Sequence, residues 1–220
     1  MIRALGLATV LLIQACGAPS ATDPVPTSAD PITGVYVCSS SNAEFVLVTR
    51  TVGDDLGVFL PPNVVPSAYQ VLTPAGPAVW RAEAVEVSLG EDFAELLVAG
   101  ETTPCHYDRR ASIWEHAKLN GVSFRAVGNE PGWVLEIYEG DRLVLSHSYG
   151  AETVTATIAE RRVSQARRTT EYRGQGNGAG IRVTLVGERC LDTMSGETFP
   201  TTVTVVVDET TLNGCGRPLH

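Results

Sequence analysis

Trp133-Val134-Leu135-Glu136-Ile137-Tyr138 alternates along the chain, so that Trp133, Leu135 and Ile137 would share one face of an extended segment and Glu136 would lie on the other. A two-residue period is typical of a β-strand with one buried face, because successive side chains point to opposite sides of a sheet. The same period recurs in residues 45–49, 85–89, 181–185 and 202–207. Short strands separated by Gly and Pro favour antiparallel barrels or sandwiches, and a hydrophobic content of 44% supplies side chains for their cores. We therefore predict an all-β protein with two small antiparallel β-barrel or sandwich domains.

Apolar positions at helical spacing are scarce in this chain. The best candidates for helices are residues 112–119 and residues 158–168. The first would join the two domains, whose boundary we place near residues 108–118, so that they cover residues 32–110 and 111–220. A chain of 220 residues, less a leader and a tether, suits two small domains better than one large domain.

The first 15 residues have the composition of an export signal. Arg3 supplies a positive end, and the apolar run over residues 4–13 is too short to span a bilayer. The order Leu11-Leu12-Ile13-Gln14-Ala15-Cys16 resembles the signal of bacterial lipoproteins, in which the cysteine after a small residue is lipidated and becomes the new N-terminus. This resemblance implies a lipid anchor at Cys16. The alternative is an ordinary secretory signal that is cleaved nearby.

An anchored protein of this kind would lie in the bacterial cell envelope. Residues 16–31 are expected to form a flexible tether, because residues 18–31 mix Pro, Ser, Thr and Asp without apolar periodicity. The residue after Cys16 is Gly17. In enteric bacteria an aspartate at this position is associated with retention in the inner membrane. We therefore expect a location at the outer membrane, facing the periplasm.

The acidity of the chain is concentrated in its first domain. The net charge is −9, and residues 31–110 hold ten acidic and four basic side chains. This balance argues against nucleic acid as a partner and favours a basic protein, since opposite charge raises association rates. The alternative is that the charge only maintains solubility.

Beyond Cys16 the chain has four cysteines, and export would place them in an oxidising compartment. Four cysteines allow three connectivities. We predict that Cys38 pairs with Cys105 and Cys190 with Cys215, because each bridge then brackets one strand-rich segment. Metal binding is the competing use of cysteine, but the chain has no C-x-x-C pair and its four histidines show no ligand spacing. No metal and no cofactor are expected.

The order of elements in the first domain is distinctive. Val35-Tyr36-Val37-Cys38 opens it and Cys105 closes it, and the segments between them are residues 44–48, 56–62, 69–72, 75–78 and 89–94. Over residues 34–107 this order resembles the membrane-bound inhibitors of c-type lysozyme, which are small eight-stranded antiparallel barrels on bacterial lipoproteins. The resemblance implies an eight-stranded barrel and a protein inhibitor of c-type lysozyme instead of an enzyme.

In that family a Ser-Gly-x-Gly-Ala loop and a Lys-Gly pair enter the lysozyme cleft, where the serine and the lysine meet the two catalytic carboxylates. Ala75 stands at the place of the serine and Leu89 at the place of the lysine. The resemblance implies that the partner is bound by Ala75, Gly76, Pro77, Leu89, Gly90 and Glu91. The alternative for Leu89 is a core position in line with the strand that precedes it. The alternative function is a non-inhibitory envelope binding or assembly module that keeps the inhibitor scaffold.

The second domain carries three further motifs, at residues 124–133, 190–200 and 212–217. They resemble a β-rich domain of Gram-negative envelope proteins and, more distantly, the small domain of heat-inducible outer-membrane lipoproteins. This resemblance implies a β-rich fold and no particular activity.

Some polar residues of the second domain are candidates for catalysis. Ser195 lacks the G-x-S-x-G elbow and has no histidine close in sequence. Asp192 and Glu197 could act as paired carboxylates, but they follow a disulfide cysteine, where turn and capping roles are usual. Residues 129–132 have the composition of a turn. We therefore do not expect an enzyme.

Five arginines lie within thirteen residues of the second domain: Arg161, Arg162, Arg167, Arg168 and Arg173. Residues 174–180 follow them, and their glycines predict a flexible loop. A solvated face is the usual role of such side chains. The functional alternative is that the arginines grip an anionic envelope polymer such as peptidoglycan, or the acidic first domain, through bidentate guanidinium geometry.

Overall fold

Strands with alternating burial build the first half of the described chain. The computed structural model describes residues 31–41, 43–176 and 178–220. The predicted signal at residues 1–15, the lipid attachment at Cys16 and the tether up to residue 30 lie outside the described residues. Barrel 1 is formed by β1 (Thr33–Ser39), β2 (Glu44–Val52), β3 (Asp55–Phe59), β4 (Tyr69–Gly76), β5 (Val79–Ala82), β6 (Val85–Leu89), β7 (Phe93–Val98) and β8 (Glu101–Tyr107).

Consecutive strands of barrel 1 pair in antiparallel fashion, and β8 pairs with β1, so the sheet closes on itself. Its core is made of inward-facing aliphatic side chains that exclude water almost completely. Leu47, Leu72 and Val87 have no exposed surface, and Leu56 and Leu96 have 1%. Closure removes the free sheet edges that would otherwise be open to pairing with other chains.

One α-helix, α1 (Arg109–Leu119), follows barrel 1 among the described residues. It begins earlier than the predicted residue 112, because Asp108 is an N-cap whose carboxylate accepts a hydrogen bond from the Ala111 amide, 2.8 Å away. None of the described helices is long and apolar enough to cross a membrane.

Barrel 2 is built from β9 (Val122–Asn129), β10 (Gly132–Tyr138), β11 (Arg142–His147), β12 (Glu152–Ser164), β13 (Thr169–Gly176), β14 (Ala179–Val186), β17 (Thr201–Val207) and β18 (Thr210–Pro218). A short 3₁₀ helix, Ser148–Gly150, precedes β12, and a small hairpin of β15 (Cys190–Leu191) and β16 (Thr198–Phe199) is inserted between β14 and β17. Since β18 pairs with β9, this sheet is also closed. The predicted all-β fold with two small antiparallel barrels is confirmed.

The inward face of barrel 2 follows the period that the sequence predicted. Trp133, Leu135 and Ile137 on β10 are 3%, 0% and 3% exposed. The inward positions of β14 and β17 are buried in the same cluster. A register that is shifted by one residue would move these side chains to solvent, so the apolar pattern specifies the pairing.

The prediction of a helix at residues 158–168 is wrong. Those residues continue β12, turn back near Arg168 and lead into β13. Val154 and Ala156 alternate into the core at period two, and pairing with β13 carries this extended conformation on through Ser164. The arginines within residues 158–168 supply no apolar stripe at helical spacing.

The prediction of a flexible loop at residues 174–180 is also wrong for residues 174–176, 179 and 180, which lie in strands. Gly174 and Gly176 lie in β13, and β14 begins at Ala179. A Cβ at Gly176 would lie 1.8 Å from the carbonyl oxygen of Thr155. Glycine therefore serves a close approach between two strands at this position.

Both predicted disulfides are present. Cys38 lies directly opposite Cys105 where β1 meets β8, so this bridge crosses the seam that closes barrel 1. The Cys190–Cys215 bridge ties the inserted hairpin to β18. The first bridge thus joins two strands of barrel 1, and the second joins the inserted hairpin to barrel 2.

Helix α1 is bonded to both barrels, which belong to one compact unit, Pro31–His220. Towards barrel 1, the Ser112 hydroxyl accepts a hydrogen bond from the Val35 amide, 2.8 Å away, and Arg50 Nη2 donates to Asn120 Oδ1 at 2.7 Å. On the other side, the Trp114 ring packs against Phe199 of the inserted hairpin with a centroid distance of 5.5 Å, and Arg217 of barrel 2 lies over the same ring at 4.4 Å. These contacts leave the helix little freedom to separate from either barrel.

Candidate functional site

The two sequence elements that resembled the inhibitor loops lie side by side at one end of barrel 1. Ala75 and Gly76 end β4, Pro77 and Ala78 form the turn into β5, and residues 90–92 form the turn from β6 to β7. The Leu89 amide donates a hydrogen bond to the Ala78 carbonyl oxygen, 2.9 Å away. We call this end of the barrel, residues 75–78 and 89–92, the loop face.

The backbone of the loop face departs from a regular ladder. The pairing of β4 with β5 shifts between Pro74 and Gly76, so Ala75 is the extra residue of a β-bulge and its side chain is exposed. Bulges are common near functional sites, where they redirect a side chain. Ala75 contributes only a methyl group at this position.

Gly90 is required by the ring of Phe93. The Gly90 amide donates a hydrogen bond to the Phe93 carbonyl oxygen at 2.8 Å, which closes the β6–β7 turn. A Cβ at Gly90 would lie 2.2 Å from Cε1 of Phe93. The ring can thus lie across the turn while 51% of the Phe93 residue stays exposed.

Leu89 combines the two roles that the sequence left open. It is partly buried and packs against the core of barrel 1, in line with Val85 and Val87. Leu89, together with Gly90 and Glu91, also lines a cleft of about 510 Å³ beside the loop face. Leu89 therefore both packs against the core and lines the cleft.

The floor of this cleft is aromatic. The rings of Tyr36 and Tyr107 lie 5.4 Å apart, and Tyr36 is 6% exposed. Burial raises the pKa of the Tyr36 phenol above its ordinary value, and the neighbouring Tyr107 adds to the shift. A side-chain hydrogen bond with Thr49 acts on this pKa in the opposite direction.

Two carboxylates and one guanidinium group lie on the rim of the cleft. Glu91, Asp92 and Arg109 are exposed, and within the described residues neither carboxylate has a cation at ion-pair distance. The Tyr107 amide binds the Asp92 carbonyl oxygen at 3.0 Å, which holds this turn against the end of β8. An apolar and aromatic floor with a rim of carboxylates suits contact with a cationic protein surface.

The candidate catalytic residues of the second domain form a compact turn. Asp192 is 7% exposed, and its carboxylate accepts hydrogen bonds from the Ser195 hydroxyl at 2.5 Å, Asn129 Nδ2 at 2.5 Å and the Met194 amide at 3.1 Å. The Ser195 hydrogen bond is the main cause of an Asp192 pKa below the ordinary value. These contacts are those of a turn-capping aspartate, the usual role that the sequence suggested.

Two arginines that the sequence did not single out complete this network. Arg110 at the start of α1 forms an ion pair with Glu197, and its Nη2 donates to the Ser195 hydroxyl at 2.9 Å. Arg217 on β18 pairs with Glu197 at 3.2 Å. Because both arginines are distant in sequence from Glu197, no local motif could have revealed them. The Asp192–Glu197 turn therefore connects α1 to barrel 2.

No metal centre can be assembled from the residues that the structure covers. In this part of the chain no group of three or more His, Cys, Asp or Glu side chains lies close enough to hold an ion. The paired cysteines are engaged in disulfides.

Comparison with known proteins finds no protein-family model, no curated protein and no solved structure that matches this chain. The likeness to lysozyme inhibitors therefore depends on the residues quoted above. The loop face has to be judged on its own geometry and charge.

Proposed function

We propose that this protein is an envelope inhibitor of c-type lysozyme that binds the enzyme through the loop face of barrel 1. The observation that carries the proposal is the hydrogen bond from Leu89 to Ala78. It joins the two turns that would both have to enter one enzyme cleft. Adjacent turns can act as one wedge, whereas separated turns could not enter a single groove.

Charge on the rim of the cleft supports a basic partner. Glu91 and Asp92 flank the turn, and the surrounding domain carries the excess of acidic residues. Such complementarity mainly raises the association rate and makes it sensitive to salt. The apolar side chains of Pro77, Leu89 and Phe93 would then be covered in the complex.

Inhibition by this face would act by occupying the cleft. The family's cation and hydroxyl are replaced by Leu89 and Ala75, so the two catalytic carboxylates of a lysozyme would meet no charged partner here. A desolvated charge pair at an interface is worth about 2 to 5 kcal/mol when one partner is removed. Binding is therefore expected to be weaker than that of an inhibitor with serine and lysine.

One observation favours the second candidate, a non-inhibitory envelope binding module. Leu89 is packed against the core of barrel 1 and Ala75 ends in a methyl group, so neither reaches far beyond the backbone. A face of this shape could bind a basic protein without filling a deep active-site groove.

The test is calorimetric titration of residues 31–220 with a c-type lysozyme at low and moderate salt, together with a cell-wall lysis assay. The variant Glu91→Gln with Asp92→Asn removes the acidic rim. A matched control, Glu44→Gln with Glu101→Gln, removes two exposed charges from the opposite end of the same barrel.

Salt-sensitive binding that is weakened by the rim variant and retained by the control supports the proposed face. Slower lysis at excess protein then identifies inhibition, and binding with unchanged lysis identifies the second candidate. If no heat of binding is measured at either salt concentration, both candidate functions are excluded.

A further inference from the structure

The hairpin of β12 and β13 carries a concentration of positive charge that the proposed inhibitor face does not use. Residues 160–173 contain five arginines and two glutamates, in a chain whose net charge is −9. β11 pairs with β12 only at residues 152–157, so among the described residues Glu160–Ser164 has a strand partner on the β13 side alone. The hairpin therefore extends beyond the neighbouring strand.

Three arginines form a row on the outer face of the sheet. Arg173 lies opposite Glu160 on one side and opposite Arg182 of β14 on the other, and Arg162 points to the same face. We call Arg162, Arg173 and Arg182 the arginine row. All three side chains are exposed.

The row holds more guanidinium groups than carboxylates. Glu160 is shared by two arginines, with Arg162 Nε at 2.6 Å and Arg173 Nε at 3.7 Å. Glu171 lies opposite Arg162 on the same face, and within the described residues it forms no ion pair with the row. Within the described residues Arg182 has no carboxylate at ion-pair distance. Like charges directly opposite each other destabilise a sheet, so the Arg173–Arg182 pair is unfavourable until an anion lies between them.

The turn of the hairpin extends the positive surface. Arg167 and Arg168 are exposed, and Arg167 Nε contacts the Ser164 hydroxyl at 3.4 Å instead of a carboxylate. Residues 160 and 164 lie roughly 13 Å apart along the strand, at about 3.3 Å per residue. The charge is therefore spread over a length that one small anion could not bridge.

The acidic first barrel does not neutralise the row. The carboxylate that pairs with Arg162 and Arg173 belongs to Glu160 in barrel 2, and among the described residues no ion pair joins the hairpin to barrel 1. A ligand of the row would therefore be an external chain with repeated anionic groups. Guanidinium groups suit carboxylates, because each can donate two parallel hydrogen bonds.

We infer that the arginine row, together with Arg167 and Arg168, binds a carboxylate-bearing polysaccharide of the peptidoglycan type. Carboxylates spaced along the polymer contact the row and the turn in sequence, and one of them bridges Arg173 and Arg182. A different role of these arginines would be to protect the free edge of β12, since charged side chains prevent pairing with other chains.

The experiment is co-sedimentation of residues 31–220 with insoluble peptidoglycan at low and moderate salt. Arg173→Gln with Arg182→Gln removes the bridging pair, and Arg167→Ser with Arg168→Asn removes the turn charges. Asn is chosen because Arg168 has a φ of 52°, which Asn tolerates. The matched control, Arg81→Gln with Arg189→Gln, removes two exposed arginines that lie elsewhere.

We expect roughly tenfold weaker retention for each hairpin variant, which corresponds to about 1.4 kcal/mol. The control should be retained as well as the parent protein. Two control polymers lack free carboxylates: peptidoglycan whose carboxylates have been amidated, and chitin, which is a neutral glycan. Neither should retain any of the proteins. Retention that is equal on chitin, or unchanged in both hairpin variants, overturns the inference.

A conservative variant separates binding from edge protection. Arg173→Lys with Arg182→Lys keeps the charge that protects the edge but loses the bidentate geometry. Retention should fall about threefold while the protein stays monomeric by size exclusion. Self-association of the Gln variant with undiminished retention would instead assign the arginines to edge protection and overturn the inference.

Discussion

The guanidinium carbon of Arg217 lies 4.4 Å from the centre of the Trp114 ring. Arg217 belongs to the last strand of barrel 2, and Trp114 belongs to the helix that follows barrel 1. Arg125 lies over the same ring at 5.5 Å, and Phe199 packs beside it. A cation over a Trp face contributes about 0.5 to 2 kcal/mol, more when the pair is desolvated. Trp114 is thus the centre of the contact between α1 and barrel 2.

The Trp114→Ala variant should lose about 3 to 5 kcal/mol of unfolding free energy. Trp114 is 6% exposed, so truncation leaves a cavity that its neighbours cannot fill. Urea unfolding followed by circular dichroism measures the change. Ile113→Ala is the control, since Ile113 is 47% exposed, and it should cost less than about 1 kcal/mol. Equal losses in the two variants would contradict a packing role for Trp114.

Removal of the two disulfides should have unequal effects. Cys190 and Cys215 are 25 residues apart and Cys38 and Cys105 are 67 apart. Loop-closure entropy then gives about 3.5 and about 4.4 kcal/mol for the two bridges. Double Cys→Ala variants, compared by urea unfolding, measure both values. A larger loss at Cys190–Cys215 would show that the inserted hairpin depends on its bridge for more than chain entropy.

Acid stability should depend on the hydroxyl of Ser195. Its hydrogen bond is the main cause of the lowered pKa of Asp192. A lowered folded-state pKa contributes stability that is complete above the unfolded-state value near 3.9 and is lost as the pH falls through the folded-state pKa. In Ser195→Ala the Asp192 pKa should rise, and less of the unfolding free energy should be lost as the pH falls below about 4.

A carbon-detected NMR titration of the Asp192 carboxyl measures this shift, and Ser195→Thr, which keeps the hydroxyl, should resemble the parent protein. An unchanged Asp192 titration in Ser195→Ala would assign the shift to the Asn129 and Met194 hydrogen bonds.

Two glycines of the loop face should respond differently to alanine. At Gly90 a Cβ would overlap the Phe93 ring, whereas at Gly76 its nearest neighbour is Val79 Cβ at 3.8 Å, an ordinary contact. Gly90→Ala should therefore displace Phe93 and cost about 1 to 3 kcal/mol, and Gly76→Ala should be close to neutral. Thermal unfolding measures both. The same cost in the two variants would mean that Phe93 moves freely.

Restoring the family's two side chains should strengthen lysozyme binding. Ala75→Ser with Leu89→Lys supplies a hydroxyl and a cation at the loop face, and the lysine stem can keep the contact of Leu89 with the barrel core. A gain of about 2 kcal/mol, roughly thirtyfold in affinity, is expected by calorimetry. Leu89→Met, which keeps an apolar side chain, is the control. If Leu89→Met also gained affinity for lysozyme, the gain could not be attributed to the added charge.

Local patterns in the sequence anticipated most of the architecture but failed at two segments of barrel 2. Alternation of apolar residues identified β10, β14 and β17, because a two-residue period has one meaning in an antiparallel sheet. The arginine-rich end of β12 carries little apolar signal, so its strand conformation depends on pairing with β13. The glycines that follow were ambiguous, because glycine serves both loops and close strand contacts.

For the candidate site, the sequence identified the two turns but not their relationship. Ala75 and Leu89 were recognised from their neighbours along the chain, and the hydrogen bond at Ala78 that joins their turns appears only when β5 pairs with β6. Arg110 and Arg217 carried no signal, since the role of each depends on an ion pair with Glu197, which is not a near neighbour of either in sequence.

By itself, the order of residues determined the all-β class and the inward face of each strand with a clear period, because these follow from burial at a fixed local spacing. The two disulfides were predicted from the way each pair brackets one strand-rich segment, and the structure decided among the three connectivities. The tertiary structure alone decided which turns share one end of barrel 1, which residues clamp α1 and which arginines stand opposite each other on the outer face of barrel 2. Those relationships join residues on different strands and turns, and strand pairing in a closed barrel sets their distances, so no local pattern could contain them.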